Sequence, residues 1–163
     1  MLKSLKKILV VAATTIMLFT GFATVAPRDA SAHWADGAMD WGLRNGYITA
    51  DLRDNYATRQ DTWLIITRVA NNLSGGSSYD ASHKYVTSRK ISDGLNPEAY
   101  VTREQVYTML YRVAYPDSYG TTDYKALAWA VKNRITTDGR RADFATRAEV
   151  MTMIRQAWYI DAI

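Results

Sequence analysis

A Thr-Arg pair recurs in this chain at a fixed interval of 44 residues, and that interval constrains the fold more than any other feature. Thr58-Arg59-Gln60-Asp61 returns as Thr102-Arg103-Glu104-Gln105 and again as Thr146-Arg147-Ala148-Glu149. In the same gapless register Trp41 aligns with Tyr85 and Trp129, and Tyr47 with Ile91 and Ile135. Tyr56 falls on Tyr100 and Phe144, and Val69 on Val113 and Ala157. A period of roughly 20–50 residues marks one supersecondary unit copied along a chain. The sequence therefore reads as three copies of one unit.

Residues 1–32 stand outside that pattern. Met1 to Lys7 is basic, Ile8 to Ala26 is apolar and uncharged, and Ala30-Ser31-Ala32 is a small-residue cleavage site. Together they predict a secretory signal peptide removed before His33. The apolar run is long enough that retention as a membrane anchor is the alternative. Cleavage leaves a mature chain with no stable membrane insertion, so the expected location is outside the cell. There is no cysteine, so the mature chain has no disulfide, which suits a Gram-positive secreted protein. The 20 Lys+Arg and 16 Asp+Glu of the whole chain include Lys3, Lys6, Lys7, Arg28 and Asp29 in the signal. Removing these leaves 16 against 15, and nucleic-acid binding loses its electrostatic basis. All five Trp and all eleven Tyr lie in the mature part, an enrichment that serves a binding surface or a repeat core equally.

Residues 33–163 are expected to form one all-α domain of three helix-loop-helix repeats, 33–74, 79–115 and 119–160. In the first, Trp34, Ala38, Trp41 and Leu43 make a helical face that stops at Asn45-Gly46. Tyr47-Ile48 opens a short extended piece, and a polar turn over residues 50–55 leads to a second helix at Thr58. Thr62, Ile65, Ile66 and Val69 form one stripe of that helix, matched by Val106, Met109, Leu110, Val113 and by Val150, Met153, Ile154, Ala157. Three equivalent stripes are most simply buried against one another around a pseudo-threefold axis. Ser74-Gly75-Gly76-Ser77-Ser78 and Pro116-Asp117-Ser118-Tyr119-Gly120 separate the units. The first helix of unit two, placed over residues 80–89, is the poorest copy, with Ser82, His83 and Lys84 in place of apolar residues.

The motif divides into two chemistries. Thr58, Thr102 and Thr146 are predicted helix N-caps. Thr146 with Glu149 and Thr102 with Gln105 have capping-box spacing, and Thr58 with Asp61 is a shorter version. The arginine then occupies the first helical position, where the helix dipole disfavours a cation by about 0.3–1 kcal/mol. Two readings stand. Each Arg pairs with a carboxylate of a neighbouring unit, or each joins the amides of a helix start in binding an anion. The column Trp41/Tyr85/Trp129 either packs in the core or floors a groove, and the core is preferred.

Catalysis finds little support. Asp36 and Asp40 share a helix face at a spacing typical of a solvated surface, and His33 and His83 are isolated. Asp51 and Asp54 lack the ligand count of a calcium loop. No cofactor or metal is called for.

His33-Trp34-Ala35, Gly46-Tyr47-Ile48-Thr49, Thr146-Arg147-Ala148-Glu149 and Ala128-Trp129-Ala130-Val131-Lys132-Asn133-Arg134-Ile135 together resemble the S-layer homology modules, over nearly the whole mature chain. The resemblance implies a pseudo-trimeric bundle whose inter-repeat grooves hold an anionic secondary cell-wall polysaccharide, typically pyruvylated N-acetylmannosamine. It implies that Arg59, Arg103 and Arg147 contact the acidic group and that Trp34 and Gly46 shape the first groove. Lys90 and Arg134 stand where the family has Gly, and Tyr85 where it has Trp. Unit one is therefore expected to be most intact, with fewer than three working sites. The alternative is a secreted helical adaptor that binds other surface proteins and no carbohydrate.

Overall fold

The computed structural model describes residues 33–73, 77–120, 123–137 and 139–163. The signal segment and Ser74 to Gly76 of the first linker lie outside the described residues. Residues 33–163 form one compact unit, all-α among the described residues. Its six α-helices are α1 (Asp36–Arg44), α2 (Arg59–Ala70), α3 (Tyr79–Ser88), α4 (Arg103–Ala114), α5 (Asp123–Lys132) and α6 (Arg147–Tyr159), with a 3-10 turn over Pro116–Ser118.

Helix starts and stops follow local chemistry. Thr58, Thr102 and Thr146 are extended N-caps, and each forms a complete capping box with Asp61, Gln105 and Glu149 respectively. The Thr58–Asp61 box is as complete as the others, because an Asp at this position still reaches the Thr58 amide, at 3.3 Å. After α1, Asn45 caps the end and Gly46 turns left-handed at φ 68°, so that Tyr47 N returns to Gly42 O. Lys90 and Arg134 adopt the same left-handed turn at φ 57° and 58° without glycine's freedom. That conformation costs an L-residue about 1–2 kcal/mol.

The stripe of α2 is buried as the spacing predicts, with Thr62, Ile65, Ile66 and Val69 at 5% exposure or less. The α1 face differs from expectation. Trp34 precedes the helix and is 63% exposed, and Leu43 faces solvent, so the buried side is Ala38, Met39, Trp41 and Gly42. Met39 takes the place expected of Trp34, since the helix starts two residues later than that pattern assumed. Helix α3 runs one residue earlier than predicted, with Arg89 as its C-cap and Ser82 buried beside Val86.

Helices find their main partners in the neighbouring repeat. α2 packs on α3, α4 on α5, and α6 on α1, while α6 also meets α4 and α2. The extended segment between the two helices of each unit carries the chain across to the next. Single antiparallel bridges join Thr58 to Tyr100, Thr102 to Phe144 and Tyr56 to Thr146, linking each unit's motif to another unit. Tyr56, Tyr100 and Phe144 meet there with ring centroids 5.4–5.9 Å apart. Trp41 is buried against Tyr47 and Trp158, whereas Tyr85 and Trp129 pack on the edge of the core.

Candidate functional site

Each Thr-Arg helix begins with its first three amides already bonded. In α2, Arg59 N donates to Ala99 O at 2.9 Å, Gln60 N to Pro97 O at 2.9 Å, and Asp61 N to Thr58 Oγ1 at 3.2 Å. In α4, Arg103 N and Glu104 N donate to Asp143 O and Arg141 O, both at 3.0 Å. In α6, Arg147 N and Ala148 N donate to Asn55 O and Arg53 O at 2.8 and 3.1 Å. The loop of another unit thus satisfies the amides that a helix start leaves without intrahelical partners. This corrects the expectation of an amide-lined anion receptor: what faces the clefts is side chain.

The three guanidinium groups each meet a carboxylate from another unit. Arg103 pairs with Glu149, both side chains 12% exposed, and donates to Thr136 Oγ1 at 3.2 Å. Arg147 pairs with Asp61 at 2.9 Å, with 15% and 30% exposure. In both cases the acid is the capping-box residue of the facing helix. Arg59 faces the same position of α4, which holds the neutral Gln105. It turns instead to the loop before α4, where its Nε donates to Leu95 O at 2.8 Å, its Nη2 to Ser92 Oγ at 3.3 Å, and it pairs with Asp93. Asp93 is 51% exposed, so this pair is solvated where the Arg103 pair is enclosed.

The Arg59 cleft has a volume of about 380 Å³ and is walled by Arg59, Ser92, Gln105, Thr108, Arg112 and Tyr119, with Asp93 and Glu104 as its acids. Arg112 spends one nitrogen on Ile91 O at 3.1 Å and lays its guanidinium 5.2 Å from the Tyr119 ring. Lys90 approaches the same ring at 5.8 Å. Thr108 is 7% exposed and its hydroxyl has no hydrogen-bond partner. Two guanidiniums, a half-exposed ring and an amide offer charge, a flat apolar face and hydrogen bonds in one cleft, while the Thr108 hydroxyl is buried behind it.

The equivalent Arg103 cleft, about 240 Å³, is lined by Trp34, Arg103, Ile135, Arg140, Glu149, Thr152 and Met153. Arg140 lies 3.6 Å from Glu149, and its own proton is held more tightly than usual, first by its hydrogen bond to Asp143 and then by Glu149. Trp34 therefore belongs with the third unit's acid and not with Arg59, because α1 packs on α6. Gly46 serves the turn that ends α1 and is not among the residues lining either cleft. Sequence reasoning missed Arg112, Tyr119, Ser92 and Thr108. A signal for Arg112 existed: Arg68, Arg112 and Gln156 stand at the same 44-residue interval, and each bonds a carbonyl in or beside a first-helix turn.

Among the described residues no three His, Cys, Asp or Glu side chains gather as a metal site. His83 lies against Trp63, with a ring nitrogen 3.2 Å from Gly94 O, remote from His33 in sequence and partners. No described helix is long and apolar enough to cross a membrane. No family model, curated protein or solved structure matches the chain.

Proposed function

We propose that this protein is a non-catalytic wall-binding module that holds an anionic, pyruvylated-type secondary cell-wall polysaccharide in the Arg59 cleft. The observation that carries this reading is the pairing of Arg59 and Arg112 with the exposed Tyr119 ring in one cleft. A guanidinium fork suits a carboxylate, and an aromatic face suits the apolar side of a sugar ring. The repeat architecture proposed with it is an S-layer-homology-like bundle around a pseudo-threefold axis. The cyclic set of helix pairings, the three bridges and the ring cluster of Tyr56, Tyr100 and Phe144 support that symmetry. Secretion and retention at the wall follow from the signal-like segment.

The test is sedimentation with purified Gram-positive walls, before and after chemical removal of the non-peptidoglycan polymer. Binding should vanish with the polymer, and Arg112→Ala should weaken it about tenfold, the size of one charge-assisted contact. Binding that survives polymer removal overturns the reading. It would favour the adaptor alternative, for which the half-exposed rings of Tyr56, Tyr100 and Phe144 are the candidate surface.

A further inference from the structure

We infer that the chain has a single working cleft, at Arg59, and that the third residue of the facing Thr-Arg helix selects it. This rests on the wall-binding reading and specifies which of the three arginines serves it. The three motifs look interchangeable in sequence, but each arginine faces the capping-box residue of the next helix around the ring. Arg103 meets Glu149 and Arg147 meets Asp61. Both acids are fixed in place, because each also accepts the amide of its own N-cap, at 2.9 Å from Thr146 N and 3.3 Å from Thr58 N. A carboxylate held by two partners inside a shallow cleft already fills the role of an anionic ligand. An incoming acid would have to displace it from both.

At Arg59 the same place is held by Gln105, which makes the same cap bond to Thr102 N at 3.1 Å without a charge. The carboxylate that does pair with Arg59 belongs to Asp93, which is half exposed and lies on a loop. Asp93 Oδ1 also accepts from Leu95 N at 3.0 Å and from Ser92 Oγ at 3.4 Å, local bonds within its own loop that its second oxygen can replace after a turn toward water. The cleft around Gln105 also carries Arg112, whose counterpart near Arg103 is the neutral Gln156. One position in three therefore keeps a cation that an external anion can compete for.

The experiment is calorimetric titration with the pyruvylated N-acetylmannosamine monosaccharide, small enough that stoichiometry counts clefts. Wild type should take up one ligand per chain. Gln105→Glu should lose affinity tenfold or more, since it installs the acid that closes the other clefts. It should fold normally, because Thr146 with Glu149 is the same capping box. Gln105→Ala removes the cap bond but adds no charge, and should bind within about threefold of wild type. Glu149→Gln keeps a capping box of the Thr102–Gln105 kind and leaves Arg103 without its acid beside Trp34, with Arg140 still paired to Asp143, so a second site should appear. A wild-type stoichiometry of two or three, wild-type affinity in Gln105→Glu, or no second site in folded Glu149→Gln overturns the inference while leaving wall binding intact. Failure of the wild type to bind either the sugar or whole walls overturns both.

Discussion

The Arg59 and Arg103 clefts share an Arg, an Ile, a Thr and a Met at matching repeat positions, and differ in the capping residue, Gln105 against Glu149, and in Arg112 against Gln156. Both arginines are the first residue of a threonine-capped helix, and both side chains are 12% exposed. Around Arg103 the neighbouring helix supplies Glu149, also 12% exposed, and the cleft closes on an internal ion pair. Around Arg59 the neighbouring helix supplies Gln105, and the compensating charge moves out to Asp93 on a solvated loop. The same motif arginine thus meets an enclosed acid in one cleft and a solvated acid in the other. Capping chemistry tolerates Gln and Glu alike, so the fold leaves this position free to set the charge of a cleft.

The largest expected effect on that comparison is on stability. Arg103→Ala strands Glu149 in a poorly solvated site and should cost about 3 kcal/mol, read by urea unfolding. Arg59→Ala leaves Asp93 in water and should cost about 1 kcal/mol or less. Equal losses would break the distinction between an enclosed and a solvated pair. Next, Thr102→Ala and Thr146→Ala should each cost about 1 kcal/mol through the lost cap. Cap losses that match would confirm that the two helices differ in charge and not in capping. The smallest effect concerns the turns that lead into the two clefts. Lys90→Gly and Arg134→Gly should each gain about 0.5 kcal/mol, the relief of a left-handed residue less the added chain entropy. A gain at Arg134 with lost wall binding at Lys90 would assign Lys90 to the cationic rim around Tyr119.

Much of the architecture was legible because it is local. The three N-caps, the buried stripe of α2 and the Asn45-Gly46 stop all depend on residues within a turn or two of one another. Trp34 was misplaced because a helical stripe was projected ahead of the point where α1 begins, and Leu43 because it lies within α1 on the side away from Ala38, Met39, Trp41 and Gly42. Ser82 was expected to break the apolar pattern of α3 and is buried instead, since a small residue lets that helix approach its neighbour. The cleft was less legible. Arg112 and Tyr119 lie outside the motif that draws attention, and Tyr119 sits in a segment that reads as a linker.

By itself the sequence determined that three helices at a 44-residue interval are capped by threonine and that each then places an arginine against its helix dipole. It left open what those arginines meet. Only the tertiary structure decided that the helix-start amides are spent on loops from other units. It likewise decided that Arg147 finds Asp61 across 86 positions of chain, and that Arg59 finds no fixed acid at Gln105. The physical reason is that these ion pairs and clefts form between residues far apart in the chain, where partners are set by how the helices pack. A capping box closes within four residues and is settled before any unit meets another.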